Sequence, residues 1–534
     1  MIESTNSLGC CIAMTQPIVT QPSSISPCRT DEHIVCSIPL IALCSIGLLA
    51  FGGCISVDPR PDYQDASRLV SERTGVGDIY HPDIESLIEE KTTMLLADGL
   101  TIDEAVQVAL LNNPEFQSQF QEIGVSRAEL VQSGLMTNPT LFTSARFPEG
   151  GGRSNLTFSF AQELADLWQI PVRKRIAKAK LQRTILTVVR QAIDLTADVK
   201  IKCYVLLALE QAERIARENL ELLQRSVKLA QDRFDAGEVG QLDVNLTRSN
   251  LLDVKLKLIS LRRQRRIAGL ALARVLGLAR WDQPWTLQGS MPRQPLHVAD
   301  TSALVIFAMR QRLDAQAAAM QTRAAEAEVR RQYIRIVPSV TAGVEEERPE
   351  RRGLPGRKIL ADTGRASVAN GRLTAPEIQS RGQRNIERSQ IIDSLLGPTI
   401  SLTLPIWHQN QAKIARARFK AIQARKNYEV LLDSVAQGVA QATASARTAS
   451  ELVTFYEKQS LPLARNTVEA ARRAYQAGEQ NIVALIDAQR TLVTQQRQYV
   501  DTQRDYAIAQ AELERSLGGH MPPPAPATQP SGSQ

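Results

Sequence analysis

After Cys54 the chain has only one more cysteine, Cys203, so no disulfide framework or cysteine-based metal centre can be built there. Proline is missing from all of 172–283, which leaves that stretch free to run as uninterrupted helix. Aromatic residues make up 4% of the 534 residues, and the net charge of +7 arises from arginine and glutamate interspersed along the same stretches. Without aromatics beside a basic patch, the composition argues against nucleic-acid binding. His81, His297, His408 and His520 are scattered, no H-E-x-x-H occurs, and no glycine-rich phosphate loop follows a strand. Catalysis, a cofactor and a metal site are therefore not expected.

Long apolar runs are also scarce, with Ile34 to Gly53 the only one. It ends in Phe51-Gly-Gly-Cys54 and is followed at once by polar Ser56, Asp58 and Arg60, the pattern of an export segment over 1–53. The small residues before Cys54 resemble a bacterial lipobox, with Phe51 where an aliphatic residue is usual, and imply acylation of the Cys54 thiol. An uncleaved anchor is the alternative, because the run is close to the ~20 residues that span a bilayer. Arg29 stands beside Asp31 and Glu32 instead of in a basic cluster, and Met14 is an alternative start.

What is present is a repeat. Phe234-Asp-Ala-Gly-Glu238 and Tyr475-Gln-Ala-Gly-Glu479 each lie between long helical patterns, and the same ungapped offset pairs Val227 with Val468, Leu251 with Leu492 and Leu276-Gly277 with Leu517-Gly518. Glycine between two amphipathic helices lets one stop in a left-handed turn and the next begin antiparallel. In the first copy Ile185, Val188, Ala192, Leu195 and Val199 open a 3,4-spaced seam that runs to Phe234, interrupted only by Lys202 and Glu213. The returning helix carries the same spacing from Val244 to Val275 with Arg265 as a polar member. A sustained seven-residue period predicts coiled-coil packing.

A linker over 54–100 leads to Thr101-Ile-Asp-Glu104, a capping box that opens a helix. Asn112-Asn-Pro114 breaks it, and Asn138-Pro139 introduces alternating strands around Leu141–Phe147 and Asn155–Phe160. This first unit spans 101–277, a proline-bearing linker follows over 278–301, and 302–518 repeats the order with strands near Pro338 and Thr399–Ile406. An Arg/Glu/Gly-rich loop of about 346–394 interrupts the second unit, a solvated loop or a regulatory surface. The tail 519–534 reads as disordered.

In order and duplicated, Leu100-Thr-Ile-Asp-Glu-Ala105, Asn112-Asn-Pro-Glu115, Asn138-Pro-Thr-Leu141, the two Ala-Gly-Glu tips and Gly397-Pro-Thr-Ile-Ser-Leu-Thr-Leu-Pro-Ile406 resemble the TolC-type outer-membrane efflux proteins. Leu404-Pro-Ile-Trp-His-Gln-Asn-Gln411 is similar to a segment of the CzcC-like branch, which serves heavy-metal export. The resemblance implies a mostly α fold with a small β part: a homotrimer whose helical hairpins form an α-barrel and whose four strands per chain close a twelve-stranded barrel in outer-membrane lipid. It also implies a passive exit duct served by a periplasmic adaptor and an inner-membrane transporter. A coiled-coil spacer or adaptor of the envelope is the alternative.

The resemblance implies adaptor contact at Ala236, Gly237 and Glu238 and at Ala477, Gly478 and Glu479, and a pore constriction at Asp243 and Asp487. Helix-start preference is the other account of these two aspartates. Ala484 and Gln480 stand where some relatives carry Asp and Arg, and Leu313 where many have Pro. His408 fits either a metal contact or a polar strand-to-helix junction. If Cys54 is the mature N-terminus, mass spectrometry of the mature protein finds an acylated cysteine as its first residue. An unmodified residue 1 in a membrane-inserted chain would identify the anchor instead.

Overall fold

The computed structural model describes residues 56–147, 152–278, 285–292, 300–349, 351–352, 368–371 and 394–521. Cys54, most of the loop over 346–394 and the tail beyond 521 lie outside them. The segment expected to be a linker before Thr101 carries two helices, α1 (Arg60–Thr74) and α2 (Ile88–Ala97), joined through a 3-10 turn at Pro82–Leu87. Tyr63, Ala66 and Val70 of α1 are buried at spacings that put them on one helix face, and they join a core with Val106, Phe120 and Val189 of later helices.

Helix α3 (Ile102–Asn112) opens on the expected capping box, in which the Thr101 amide donates to Glu104 Oε2 at 2.8 Å and the Glu104 amide donates to Thr101 Oγ1 at 3.3 Å. Asn113 is extended, stops α3, and caps α4 (Pro114–Ser133) by accepting the Phe116 amide at 3.0 Å. Strands β1 (Thr140–Arg146), β2 (Gly152–Arg153) and β3 (Asn155–Glu163) follow. Next come α5 (Asp166–Asp235) and α6 (Gln241–Val275). The second half repeats the order: α7 (Thr301–Gln311), α8 (Leu313–Ile334), β4 (Val340–Arg348), β5 (Arg351–Arg352), β6 (Leu395–Leu402), α9 (Gln411–Phe455), α10 (Leu461–Gln476) and α11 (Ile482–Leu517). Strand β4 runs through Glu346–Arg348, positions read from sequence as part of the interrupting loop.

At 70 residues, α5 extends ~105 Å. It begins before Pro171, not after it. A proline this close to the start forfeits only one intrahelical bond, and buried Asp166 secures the first turn by accepting the Thr137 amide at 2.5 Å and pairing with Arg173 at 3.0 Å. Along α5 the predicted seam is buried at Ile185, Val188, Ala192, Val199, Leu206, Ala216 and Leu223. Two of the polar interruptions, Glu213 and Arg265, explain each other. Glu213, 3% exposed, reaches Arg265 of the facing helix at 3.0 Å and Arg262 at 3.3 Å, and also pairs with Arg217 on its own helix.

The second hairpin departs from the first. Its descending helix is split by a π turn at Tyr456–Ser460 and restarts as α10 with Pro462 in its first turn. Proline cannot donate to the preceding turn and crowds it, so the ladder shifts locally. Where α7 meets α8 the opposite happens. Leu313 replaces the proline of the first copy, yet Arg312 adopts φ −66° and ψ 127°, close to the −70° and 116° of Asn113. The break holds because the Arg312 guanidinium grips Asp314 at 2.5 and 3.0 Å and donates to the Ser516 carbonyl at 3.3 Å.

Each hairpin ends against the break of its own copy. Gly277, at φ +71°, abuts the Asn112 carbonyl so closely that a Cβ would collide with it, and Gly518, at φ +98°, lies beside Gln311 and Arg312. Gly277→Ala is thus expected to cost more stability than Gly518→Ala, by ~1 kcal/mol or more, in paired thermal melts.

Burial pushes the Glu213 carboxyl up, but the hydrogen bond from Arg217 and the charge of Arg265 outweigh it and hold the group below the ordinary glutamate range. Its stabilisation is fully present above that range and is lost as pH falls through the lower folded value. Glu213→Gln should cost about 2 kcal/mol at neutral pH, less than a fully enclosed pair because the arginines are half exposed. It should also flatten the acid limb of melting temperature against pH. An unchanged acid limb would remove Glu213 as its source.

Candidate functional site

Two regions carry chemistry beyond packing, the sheet and the tips. The sheet has the order β1-β3-β4-β6 with every pair antiparallel, and a short β2-β5 ribbon extends it. Register sorts its side chains into two faces, because directly opposed residues point the same way. One row joins Leu141, Phe160, Val344 and Pro398; the next joins Thr140, Ala161, Gly343 and Thr399. Extended along the strands, the first face gathers Phe158, Leu396, Ile400 and Leu402, and the second gathers Ser144, Thr157, Ser159, Glu345, Glu347 and Ser401. Phe142 and Leu395 are large apolar exceptions on the second face, and Glu346 and Arg348, at the β3–β4 end away from the long helices, are charged exceptions on the first. Leu141, Phe158, Phe160, Val344 and Ile400 are exposed. Strands β1 and β6 each have one flank with no partner strand among the described residues.

The helices continue this order. Helix α4 packs on α5, α5 on α8 and α8 on α9, matching the strands to which they connect. Toward the tips, α6 packs on α5, α5 on α11, and α11 on α9 and α10.

At the tips the two copies use one cap. The Glu238 amide donates to the Arg233 carbonyl and the Glu479 amide to the Ala474 carbonyl, both at 2.9 Å. Gly237 and Gly478 sit at φ +78° and +77°. These are Schellman caps, which require the left-handed residue that glycine supplies without a steric cost. A Cβ on either glycine would meet open space, and Ala236, Glu238, Ala477 and Glu479 are exposed.

The tips are joined by a residue that has no counterpart in the repeat. Arg233, aligned with Ala474, reaches Glu238 at 2.9 Å, donates to the Tyr475 carbonyl at 3.2 Å, and lies 4.8 Å from the Tyr475 ring centroid, a cation–π distance. Tyr475 is buried with Ile482, Leu485 and Ile486, and its hydroxyl has no hydrogen-bond partner among the described residues. The signal was available in the sequence as one of the polar mismatches that flank the matched tips, with Asp232 against Arg473 and Asp243 against Ala484 among the others.

Asp243 lies in the first turn of α6, whereas Asp487 is exposed and beyond the first turn of α11. Helix-start preference therefore suits Asp243 but not Asp487. Neither carboxylate has a partner among the described residues, and the two are not repeat-equivalent: the counterpart of Asp243 is Ala484 and that of Asp487 is Leu246. Among the described residues no three of His, Cys, Asp and Glu gather as metal ligands. His408 is exposed in the β6–α9 junction. Two residues on, Asn410 has φ 63° and bonds the Gln332 carbonyl and side chain at 2.7 and 3.0 Å.

The family model for outer membrane efflux protein matches residues 105–278 and 307–519, well over half of the chain. The chain belongs to the outer membrane efflux protein family. No curated protein matches it by sequence. Among solved structures, this efflux-family chain is similar to CusC, from a study of folding and transmembrane channel formation, with TM-score 0.63 and 17% identity over 78% of this chain and 92% of that one. It is also similar to the outer membrane protein VceC of Vibrio cholerae, at 0.60 and 16% over 78% and 96%. The CmeC outer membrane channel of Campylobacter jejuni gives 0.60 and 16% over 80% and 88%. At these identities the likeness shows the fold: mostly helical, with a few strands.

Substitution separates the two halves of the tip link. Tyr475→Phe removes a buried hydroxyl without a partner and keeps the ring, so the melting temperature is expected to hold or rise. Arg233→Met removes the link and should increase hydrogen exchange at 474–486, and unchanged exchange there would mean that the tips do not depend on it.

Proposed function

We propose that three copies of the chain close into one duct through the outer membrane and the space beneath it, a passive exit for metal ions or small toxic molecules supplied by an inner-membrane transporter through an adaptor at the tips. The observation that carries this reading is the sheet, mainly apolar on one face, mainly polar on the other, and open at both edges among the described residues. In hydrocarbon each unpaired edge group costs several kcal/mol, so a spanning sheet must close on further copies. Three copies of a four-stranded sheet give twelve strands, with the apolar face toward lipid and the polar face lining the lumen.

The helices support the same closure. Helices α4 and α9 flank the upper layer as β1 and β6 flank the sheet, so joining one pair of edges joins the other. Below, α6 exposes a second apolar stripe, Leu252, Leu256, Ile259, Ile267 and Leu270, on the flank that faces the next copy. A plain coiled-coil spacer has no use for an exposed apolar sheet face. Acylated Cys54 would anchor the chain to the same membrane.

Under this reading Ala236, Gly237, Glu238, Ala477, Gly478 and Glu479 form the adaptor-contacting rim, where small residues let a partner helix approach closely. Asp243 and Asp487 each occur three times around the axis near that end. Carboxylates so arranged attract cations and narrow the opening.

Detergent-extracted protein is expected to run as a trimer that dissociates on heating, and a stable monomer in membranes would overturn the duct. In single-channel recordings the Asp243→Asn/Asp487→Asn double variant should lose cation block and open more often than wild type. Wild-type block and open probability in that variant would place the constriction elsewhere.

A further inference from the structure

A groove of about 450 Å³ lies between α5 and α8, just beneath the sheet. Arg175 and Lys178 line it from α5, and Arg323 and Arg330 from α8, over a floor that includes Met320. The single acidic residue in its wall, Glu326, is already held by Arg425 of α9 at 3.2 Å. All four cations are exposed and none has an acidic partner among the described residues. Nearby Arg173, Arg190 and Arg312 are each paired with an aspartate, whereas these four cations line one groove with Glu326 as its single acidic residue, so the groove carries net positive charge.

Its orientation follows from the heptad. Arg175 and Gln182 occupy the column that continues as Val189 and Thr196, and Lys178 the column of Ile185 and Ala192. Those residues are buried, and Ile185, Val189 and Ala192 belong to the core that α1 and α3 build against α5. The groove is thus the upward continuation of the face that carries the N-terminal helices. Helices layered on that face would fill the lumen if it pointed inward, so under the duct reading the groove opens outward. It also lies between the two central helices of the layer, with α9 reaching its wall only through Arg425, so under the duct reading closure of the trimer at the outer flanks of α4 and α9 leaves it accessible.

Arg330 is four residues from the top of α8 and Lys178 twelve residues down α5, so the cations sit ~6 to 18 Å below the sheet. Side chains lean toward a helix N-terminus, which tilts the α5 pair up and the α8 pair down, toward a common level. The headgroup layer begins where the hydrocarbon ends and is ~5 to 8 Å deep, and long basic side chains reach such a layer with their stems on apolar surface. We propose that this groove binds the phosphate of an anionic phospholipid of the periplasmic leaflet. The proposal rests on the duct reading for its outward direction.

The test uses the detergent-purified full chain and water-soluble dioctanoyl phosphatidylglycerol, with dioctanoyl phosphatidylcholine and inorganic phosphate as comparison ligands. Wild type is expected to bind phosphatidylglycerol at least tenfold more tightly than either. Arg175→Gln and Arg330→Gln should each weaken that binding about threefold and the quadruple Gln variant at least tenfold, while Lys180→Gln/Arg183→Gln, on other faces of α5, leaves it unchanged. Equal affinity for both lipids, phosphate binding as tight as phosphatidylglycerol, or undiminished binding in folded single variants would overturn the proposal. The single variants decide the matter if the quadruple variant fails to fold. Conductance is recorded on the same preparations. A wild-type protein without conductance or trimer would sink the duct reading, whereas normal conductance without lipid selectivity would sink only the groove.

Discussion

Backbone pairing at the two edges of a four-stranded sheet is the constraint on which the rest of the structure depends. Water can satisfy an open edge, and hydrocarbon cannot. The apolar row through Leu141, Phe160, Val344 and Pro398 suits the sheet to lipid, and the unpaired flanks of β1 and β6 make it incomplete there by itself. Since α4, α5, α8 and α9 pack in the order of the strands they follow or precede, the sheet and the helical layer share their edges. One closure satisfies both, and α5, central in both layers, transmits that geometry over its full length to the tips.

Electrostatics holds this frame where the two copies have diverged. Arg312 and Asp314 keep a helix break that lacks its proline, Glu213 turns the polar members of two seams into one cluster, and Arg233 ties one tip to the other. Two of these links are an arginine whose planar fork serves several acceptors at once, and the third is a carboxylate shared by three arginines. The copies are therefore alike in backbone and unlike in how they are fastened. Pro462 adds a further asymmetry, because it breaks the second descending helix while the first runs on.

Much of this was legible because it is periodic or local. The capping box at Thr101, the break at Asn113, the two glycine tips and the alternation of the strands depend on neighbours within a few residues, and the seam of α5 on a repeat every seven. The start of α5 is not legible in this way: Pro171 reads as a stop, although a proline in an early turn is tolerated when Asp166 anchors that turn from a distance. The helices α1 and α2 read as linker because their few buried residues find their partners far along the chain, in the core with α4 and α5. The consequence of Pro462 is hidden within an otherwise regular helical pattern.

The candidate site divides in the same way. The sequence by itself determined that two helical hairpins end in glycine-capped tips and that amphipathic strands precede each, since these follow from short-range sterics and period. Only the tertiary structure decided that β3 pairs with β4 and so joins the copies in one sheet, that Arg233 meets Tyr475, and that Arg175 and Lys178 share a groove with Arg323 and Arg330. Those contacts join residues more than a hundred positions apart. No local preference encodes such proximity, and it comes into being only when the long helices pack and fix which faces meet.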